Sequence, residues 1–281
     1  MTLAAEAFAK TNLRLVVLGR RPDGYHDVDT VFQTIDLTDR LEVSPERSEI
    51  VLECDDASIP RGSANLVVRA AEALRSRLGI SAGARIRLLK NIPAGGGLGG
   101  GSSDAAVALL LLSRLWKRDV GRRVLAEVGA GIGSDVPFFF VGGTARGRGR
   151  GEILEPLDDA PPVPLVVLVP PFSISTADVY ARWREEDTLS APGPVFGPNS
   201  LASAVLAMNP EMDRHRRAIS HRYPDVQVSG SGSCLVAWEG DRGVAEADAL
   251  AAELPGARVL RTRTVSRKEY ERRSSLQEVA P

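Results

Sequence analysis

The stretch Pro93-Ala94-Gly95-Gly96-Gly97-Leu98-Gly99-Gly100-Gly101-Ser102-Ser103-Asp104 holds six glycines in twelve residues and runs directly into Ala105-Ala106-Val107-Ala108-Leu109-Leu110-Leu111-Leu112. The apolar run reads as a buried helix beginning at Ser102 or Ser103. Glycine has the most backbone freedom to lose, so a dense glycine run beside a core helix needs a reason. The reason inferred is that backbone N–H groups must approach an anion with no Cβ in the way. A helix start adds unpaired amides and the positive end of its dipole. The expected anion is the phosphate chain of a nucleotide.

Other readings of the same residues are weaker. A flexible linker is not flanked by an apolar strand (Ile86 to Ile92) and an apolar helix. Gly95-x-Gly97-x-x-Gly100 satisfies the dinucleotide fingerprint, but any run this rich in glycine would. That fingerprint also requires a parallel βαβ unit, whereas the segment after the helix, Trp116 to Arg123, is charged and loop-like. No Gly-Lys-Ser/Thr closes the run, so the P-loop is excluded. A phosphate loop of a third kind remains.

A chain of 281 residues accommodates one large domain or two ordinary ones. With 43% hydrophobic and 25% charged residues it falls in the soluble globular class. A net charge of -1 gives no general field for nucleic acid or an anionic membrane. Cys54 and Cys234 are far apart in unrelated contexts, which points to reduced thiols. Met1 to Lys10 lacks the apolar core of a signal peptide, and no run approaches the roughly 20 apolar residues of a membrane span. The expected location is the cytoplasm.

Residues 4–18 read as a strand on which Lys10 and Asn12, two apart, share a face. Pro22-Asp23-Gly24 is a turn signal, 27–36 is the hairpin partner, and 41–52 continues the strand pattern. Residues 65–78 form an amphipathic helix, with Asn65 as N-cap and Gly79 as terminator. A strand at 85–92 feeds the glycine loop, and a short helix follows near 120–128. Asp135 stands immediately before Val136-Pro137-Phe138-Phe139-Phe140, so its carboxylate is pinned beside apolar surface and needs a partner. Its simplest role is a helix cap, which does not exclude catalysis. The Arg-Gly alternation at 142–151 reads as a turn and edge strand. The proline-rich stretch 158–164 marks a boundary, giving units 1–157 and 158–281. Beyond it come a strand at 165–169, helices at 175–183, 199–208, 211–223 and 244–254, a loop at 190–198, and strands at 226–229, 234–238 and 257–265. The charged tail from Lys268 is expected to fray.

Three segments together resemble the GHMP small-molecule kinases, the family of galactokinase, homoserine kinase, mevalonate kinase and phosphomevalonate kinase: Ala9-Lys10-Thr11-Asn12-Leu13, the loop Pro93–Ser103 with Asp104-Ala105-Ala106, and Val228-Ser229-Gly230-Ser231-Gly232-Ser233. Arg21-Pro22-Asp23-Gly24-Tyr25-His26-Asp27, the run Thr30 to Asp36, and Gly133-Ser134-Asp135-Val136-Pro137-Phe138-Phe139 narrow the resemblance to members that act on a cytidine-diphosphate-linked methylerythritol. The resemblance implies an α+β fold of two lobes, the N-terminal one similar to a ribosomal-protein fold, with the active site in the cleft.

It also implies a reaction: the γ-phosphoryl of ATP passes to the 2-hydroxyl of the methylerythritol unit, with Mg²⁺. Asp135 would be the general base, and Lys10 would favour the developing alkoxide. If the lysine blunts the acid's basicity, the pair chiefly positions the nucleophile. Pro93, Ala94, Gly95, Gly96, Gly97, Leu98, Gly99, Gly100, Gly101, Ser102 and Ser103 would wrap the ATP phosphates, with Ser102 or Ser103 near Mg²⁺. Tyr25 and His26, with Tyr180 as a second stacking face, would hold cytosine. Asn12 and Thr176 would bond the polyol or diphosphate. Three departures stand out: Ser134 replaces an expected alanine, Tyr180 an expected phenylalanine, and Ser233-Cys234 closes the last turn. The partners implied are the two small molecules, with no nucleic acid and no membrane, for a monomer or weak homodimer. A homoserine or mevalonate type of kinase would lack the Arg-Pro-Asp-Gly-Tyr-His turn. A nucleic-acid-binding module would require a basic face that the charge balance does not supply.

Overall fold

The computed structural model describes residues 1–118, 120–187, 196–223 and 225–279. Its first feature is a long hairpin. Strand β1 (Thr2–Arg20) and strand β2 (His26–Glu46) pair antiparallel along nearly their whole length. The turn between them is closed by Arg21 N–H donating to the Tyr25 carbonyl at 2.8 Å, with Gly24 at φ +87°. The strand patterns expected at 27–36 and 41–52 are thus one strand to Glu46, and a separate strand β3 (Ile50–Cys54) follows. Register shifts at Phe8/Ala9 and Asn12/Arg14 bracket Lys10 and Asn12, and such bulges re-aim side chains.

Helix α1 (Leu66–Leu78) begins as its sequence dictates: the Asn65 side chain accepts from Val67 N–H, and Gly79 closes it in the left-handed conformation. Strand β4 (Gly83–Leu89) lies between β2 and β3, parallel to the latter, so the first sheet is mixed. Helix α2 spans Gly100–Leu115, two residues earlier than the serines suggest. Gly99, left-handed at φ +71°, turns the chain into it, so Gly100 and Gly101 are already helical. Ala105, Ala106, Ala108, Leu109, Leu111 and Leu112 are fully buried, which makes α2 the central helix of the first core.

Helix α3 (Arg122–Ala130) and a 3₁₀ turn at Val136–Phe140 cover one end of that core. Strand β5 (Thr144–Arg148) pairs with β2 on one side and with β6 (Ile153–Pro156) on the other. It is therefore not the edge expected of the Arg-Gly segment; β6 is. Gly147 explains the small residue there: a Cβ would come within 2.7 Å of the Phe32 ring.

The second sheet has the order β10-β7-β9-β8, formed by β7 (Pro164–Val169), β8 (Val226–Val228), β9 (Leu235–Trp238) and β10 (Arg258–Arg263). Helices α4 (Thr176–Arg182), α5 (Ala202–Met208), α6 (Pro210–Arg222) and α7 (Gly243–Glu253) accompany it. A third cluster, including Ala9, Ile35, Ile92, Leu98, Val167 and Val236, joins the two cores beneath the glycine loop. Most of the loop expected at 190–198 lies outside the described residues. Cys54 and Cys234 are free and buried. Among the described residues, no helix is long and apolar enough to cross a membrane.

The tail corrects an expectation. Instead of fraying, it forms helix α8 (Arg267–Arg273) and strand β11 (Gln277–Val279), which pairs with β1. Ser266 caps α8 by accepting from Glu269 N–H, Tyr270 is buried and donates to the Phe139 carbonyl, and Arg273 pairs with Glu6 at 3.0 Å and Asp36 at 2.6 Å. Arg273 is thus ion-paired to the first sheet, and Glu269 pairs with Arg263 of the second.

Candidate active site

Lys10 is 3% exposed on β1, and its Nζ lies 3.3 Å from Asp135 Oδ2. The same ammonium donates to Asn12 Oδ1 at 2.7 Å, which the shared strand face permits. Asn12 Nδ2 in turn donates to Thr30 Oγ1 at 2.7 Å, and Thr30 passes its own proton to the Arg14 carbonyl at 2.7 Å. A chain of donors thus starts at the ammonium and ends on the Arg14 carbonyl, fixing the Asn12 amide that receives one ammonium proton. The Phe32 ring, centred 5.5 Å from Nζ, closes one side.

Asp135 reaches this point from the opposite end of the first lobe. It precedes the 3₁₀ turn but makes no capping bond to it, so the simplest reading of its position does not account for its carboxylate. Val136, Phe138 and Phe139 anchor the turn in the core, and Gly129 lets α3 approach closely, since a Cβ there would sit 2.6 Å from Val136 Cγ1. The Asp135 side chain keeps 31% of its exposure, so the carboxylate faces a cavity while its backbone is fixed.

The glycine loop passes between these residues and the turn at 229–234. Lys10 N–H donates to the Leu98 carbonyl at 2.9 Å and Cys234 N–H to the Gly96 carbonyl at 3.1 Å, while Ser229 Oγ donates to the Gly97 carbonyl at 3.1 Å. Gly95, Gly97 and Gly99 all have φ near +70°. A Cβ at Gly97 would overlap the Ser229 carbonyl oxygen, one at Gly96 the Cys234 sulfur, and one at Gly99 would lie 2.9 Å from the Lys10 stem. The glycine density is therefore set by protein contacts as well as by room for an anion, which the sequence argument alone did not separate. Of the two serines that open α2, Ser102 lines the cavity, whereas Ser103 is fully buried with an unpartnered hydroxyl.

The cavity along the loop holds about 520 Å³ and runs from Lys10, Asn12 and Asp135 to an apolar end at Ile59, Pro60, Leu66 and Leu88. A second cavity of about 780 Å³ contains Tyr25, His26, Tyr180 and Trp183. The His26 ring centre is 5.1 Å from that of Tyr180 and 5.7 Å from that of Trp183. Burial, with nearby Arg20, lowers the His26 pKa and keeps the imidazole neutral, with one donor and one acceptor nitrogen. Burial, with the Asp135 carboxylate as second cause, pushes the Tyr180 phenol up, so it stays protonated. Thr176, at the start of α4, shares a hydrogen bond with Ser231 at 2.8 Å. Pro93, Ala94 and the loop glycines line the first cavity, and Tyr25 is 55% exposed at the mouth of the second. Sequence reasoning missed Thr30, Ser231 and Arg150. The first two sit in segments it had singled out, and Arg150 lay within the Arg-Gly alternation read only as a turn.

A strand-borne lysine, a glycine loop leading into a buried helix and a second glycine turn facing it are the three segments on which the sequence resembles the GHMP kinases. The model of the GHMP kinases N terminal domain matches residues 65–143. A crystal structure of mevalonate kinase shares the fold at a TM-score of 0.68 with 13% identity, over 94% of this chain and 99% of the other. Sequence relatives narrow the class. A 4-diphosphocytidyl-2-C-methyl-D-erythritol kinase of Exiguobacterium sibiricum is 40% identical over 257 residues, 84% of this chain and 89% of that protein. One from Pelotomaculum thermopropionicum is 52% identical over 185 residues, 66% of this chain and 64% of the relative. A crystal structure of 4-(cytidine 5'-diphospho)-2C-methyl-D-erythritol kinase superposes with a TM-score of 0.75 at 37% identity, over 93% and 98% of the two chains. The chain belongs to the 4-diphosphocytidyl-2-C-methyl-D-erythritol kinase family.

Proposed function

We propose that the protein transfers the γ-phosphoryl group of ATP to the 2-hydroxyl of 4-(cytidine 5'-diphospho)-2-C-methyl-D-erythritol, in the non-mevalonate route to isoprenoid precursors. The observation that carries this reading is the Lys10–Asp135 pair, placed in the wall of the loop cavity with the aromatic cavity beside it. Divided at the proline-rich stretch into 1–157 and 158–281, the chain supplies part of that wall from each unit, the tail at 267–279 returning to the first sheet.

Asp135 accepts the hydroxyl proton, and the 2-oxygen forms its bond to the γ-phosphorus as the bond to the bridging oxygen breaks, leaving ADP. Lys10 faces the oxygen that gains charge, and its other donor direction is fixed by Asn12. Because it is held there before substrate arrives, no reorganisation is needed as charge develops. Backbone N–H groups of Gly95 to Gly101 and the start of α2 hold the phosphates. The apolar end at Ile59, Pro60, Leu66 and Leu88 suits a purine ring. Tyr25, His26 and Tyr180 hold cytosine, the neutral His26 offering a donor and an acceptor to its edge. Asn12 and Thr176 face the polyol and its diphosphate.

Mg²⁺, when bound, neutralises phosphate charge. Among the described residues no cluster of three His, Cys, Asp or Glu is built to hold a metal. That fits an ion carried mainly by nucleotide phosphates with one or two protein oxygens, and Ser102 is the loop serine able to supply one. The reading includes action in the cytoplasm, as a monomer or weak homodimer, on small molecules rather than nucleic acid, for which the net charge of -1 is the support. The test is ATP consumption with the cytidylyl methylerythritol against homoserine and mevalonate as controls. Turnover with the first alone is expected; turnover with either control instead would overturn the assignment.

A further inference from the structure

The two cavities share a wall made of Ser134, Arg150, Thr176 and Tyr180, and Arg150 is the one charged side chain of the four. It stands in the turn between β5 and β6, flanked by Gly149 at φ +69° and Gly151 at φ +107°. The turn is tied to the hairpin by Val28 N–H donating to the Gly149 carbonyl at 2.7 Å. The guanidinium carbon lies 4.8 Å from the centre of the Tyr25 ring, within cation–π range.

Its other partners are loose. Nε is 3.6 Å from Glu152 Oε1, while Glu152 Oε2 is taken by the Arg150 backbone N–H at 2.6 Å. One terminal nitrogen reaches the Ala130 carbonyl at 3.4 Å. A guanidinium carries five N–H donors, and a partly exposed ion pair at 3.6 Å is worth little. The arginine is thus oriented without being saturated.

The geometry points to Arg150 as the residue that binds the diphosphate of the cytidylyl substrate and makes that diphosphate a condition of tight binding. The inference rests on the substrate reading above. A ligand with its base among Tyr25, His26 and Tyr180 and its acceptor hydroxyl at Asp135 must pass its linker through the shared wall. A diphosphate there meets a planar fork of donors whose geometry matches two phosphate oxygens. Arg20, the other cation of the aromatic cavity, does not line the loop cavity and so is not at the junction.

Calorimetric titration of the full chain with CDP and with cytidine tests this. In Arg150→Ala, CDP affinity is expected to fall by about 10- to 100-fold, while cytidine affinity changes less than about twofold. Arg150→Lys is expected to recover part of the loss, because it restores charge without the fork. Arg150→Gln, which keeps the stem over Tyr25, is expected to lose CDP affinity as alanine does. Equal losses for CDP and cytidine would overturn the proposal, since Arg150 would then act on the base through Tyr25, and so would an unchanged CDP affinity. A wild-type chain with no affinity for CDP would sink the substrate reading itself, an outcome visible before any variant is made.

Discussion

Lys10 and Lys90 flank the glycine loop, and both are packed against its glycines: a Cβ at Gly99 would lie 2.9 Å from the Lys10 stem, and one at Gly100 would lie 3.3 Å from Lys90 Nζ. Each is paired with aspartate. Lys10 has one carboxylate, Asp135, which keeps 31% of its exposure, and an amide oxygen from Asn12. Lys90 is gripped by two carboxylates, Asp39 and, at 2.9 Å, Asp104, which are 0% and 3% exposed. Asp39 also accepts from the Asn91 and Ile92 N–H groups at 2.6 and 2.8 Å, clamping the strand that enters the loop. Burial works against the charge of Lys90, but Asp104 and Asp39 outweigh it and raise the pKa. The same residue types therefore serve different ends. All but Asp39 border the same cavity, so the difference is one of degree: Asp135 keeps 31% of its exposure and is open to a ligand, whereas Lys90, Asp39 and Asp104 keep 6%, 0% and 3% and buttress the loop.

The comparison breaks most readily on stability. Lys90→Met leaves the buried Asp39 carboxylate, with the Asp104 carboxyl beside it, without a cation, and the expected loss is ~3–5 kcal/mol in urea unfolding. Lys10→Met leaves a carboxylate that water already reaches and removes the donor of the buried Asn12 Oδ1, and the expected loss is ~1–2 kcal/mol. Equal losses would show that the two lysines are not distinguished by access.

A smaller effect separates glycines on either side of the helix start. Gly97→Ala meets both a left-handed φ of +77° and the Ser229 carbonyl, so a destabilisation of ~1–3 kcal/mol is expected. Gly101→Ala meets only Leu66 Cδ1 at 3.6 Å, inside a helix, and is expected to stabilise by up to ~1 kcal/mol. Thermal melts of the two variants measure the contrast.

A further contrast is in pH. Burial is the main cause that raises the Asp104 carboxyl to about 8, with Lys90 opposing and the Asp39 charge reinforcing. A carboxyl raised in the folded state binds a proton there that the unfolded chain, with a value of about 3.9, releases. Its contribution is fully present below about pH 4 and is lost as pH rises through about 8. Wild-type stability is therefore expected to decline from about pH 4 to about pH 8 and to level off above it, and Asp104→Asn is expected to flatten that decline. A slope unchanged in the variant would remove Asp104 as its source.

Much of this was legible in the chain because the signals are local. Asn65 and Gly79 mark both ends of α1, Pro22-Asp23-Gly24 marks the hairpin, and the period of two puts Lys10 and Asn12 on one face. The start of α2 was read late because serines are common caps, whereas here Gly99 does the turning. The buried Lys90–Asp39–Asp104 cluster was not legible, since three elements contribute one residue each and no spacing connects them. The tail folds although its charges suggest fraying: Ser266-Arg267-Lys268-Glu269 carries the capping pattern, and Arg273 finds its partners Glu6 and Asp36 over two hundred residues away, beyond the reach of any local signal. The glycine loop was recognised, but the part its contacts with Ser229 and Cys234 play could not be seen without the second turn in place.

The most direct test is single-turnover phosphoryl transfer in Asp135→Asn, Lys10→Met and the double variant. Each single change is expected to slow transfer by about 10²-fold or more. The double variant is expected to be slowed no more than about tenfold beyond the slower single one, because the two groups act on one proton and one oxygen as a unit. Near-wild-type transfer in either single variant, or losses that multiply in the double, would contradict the account.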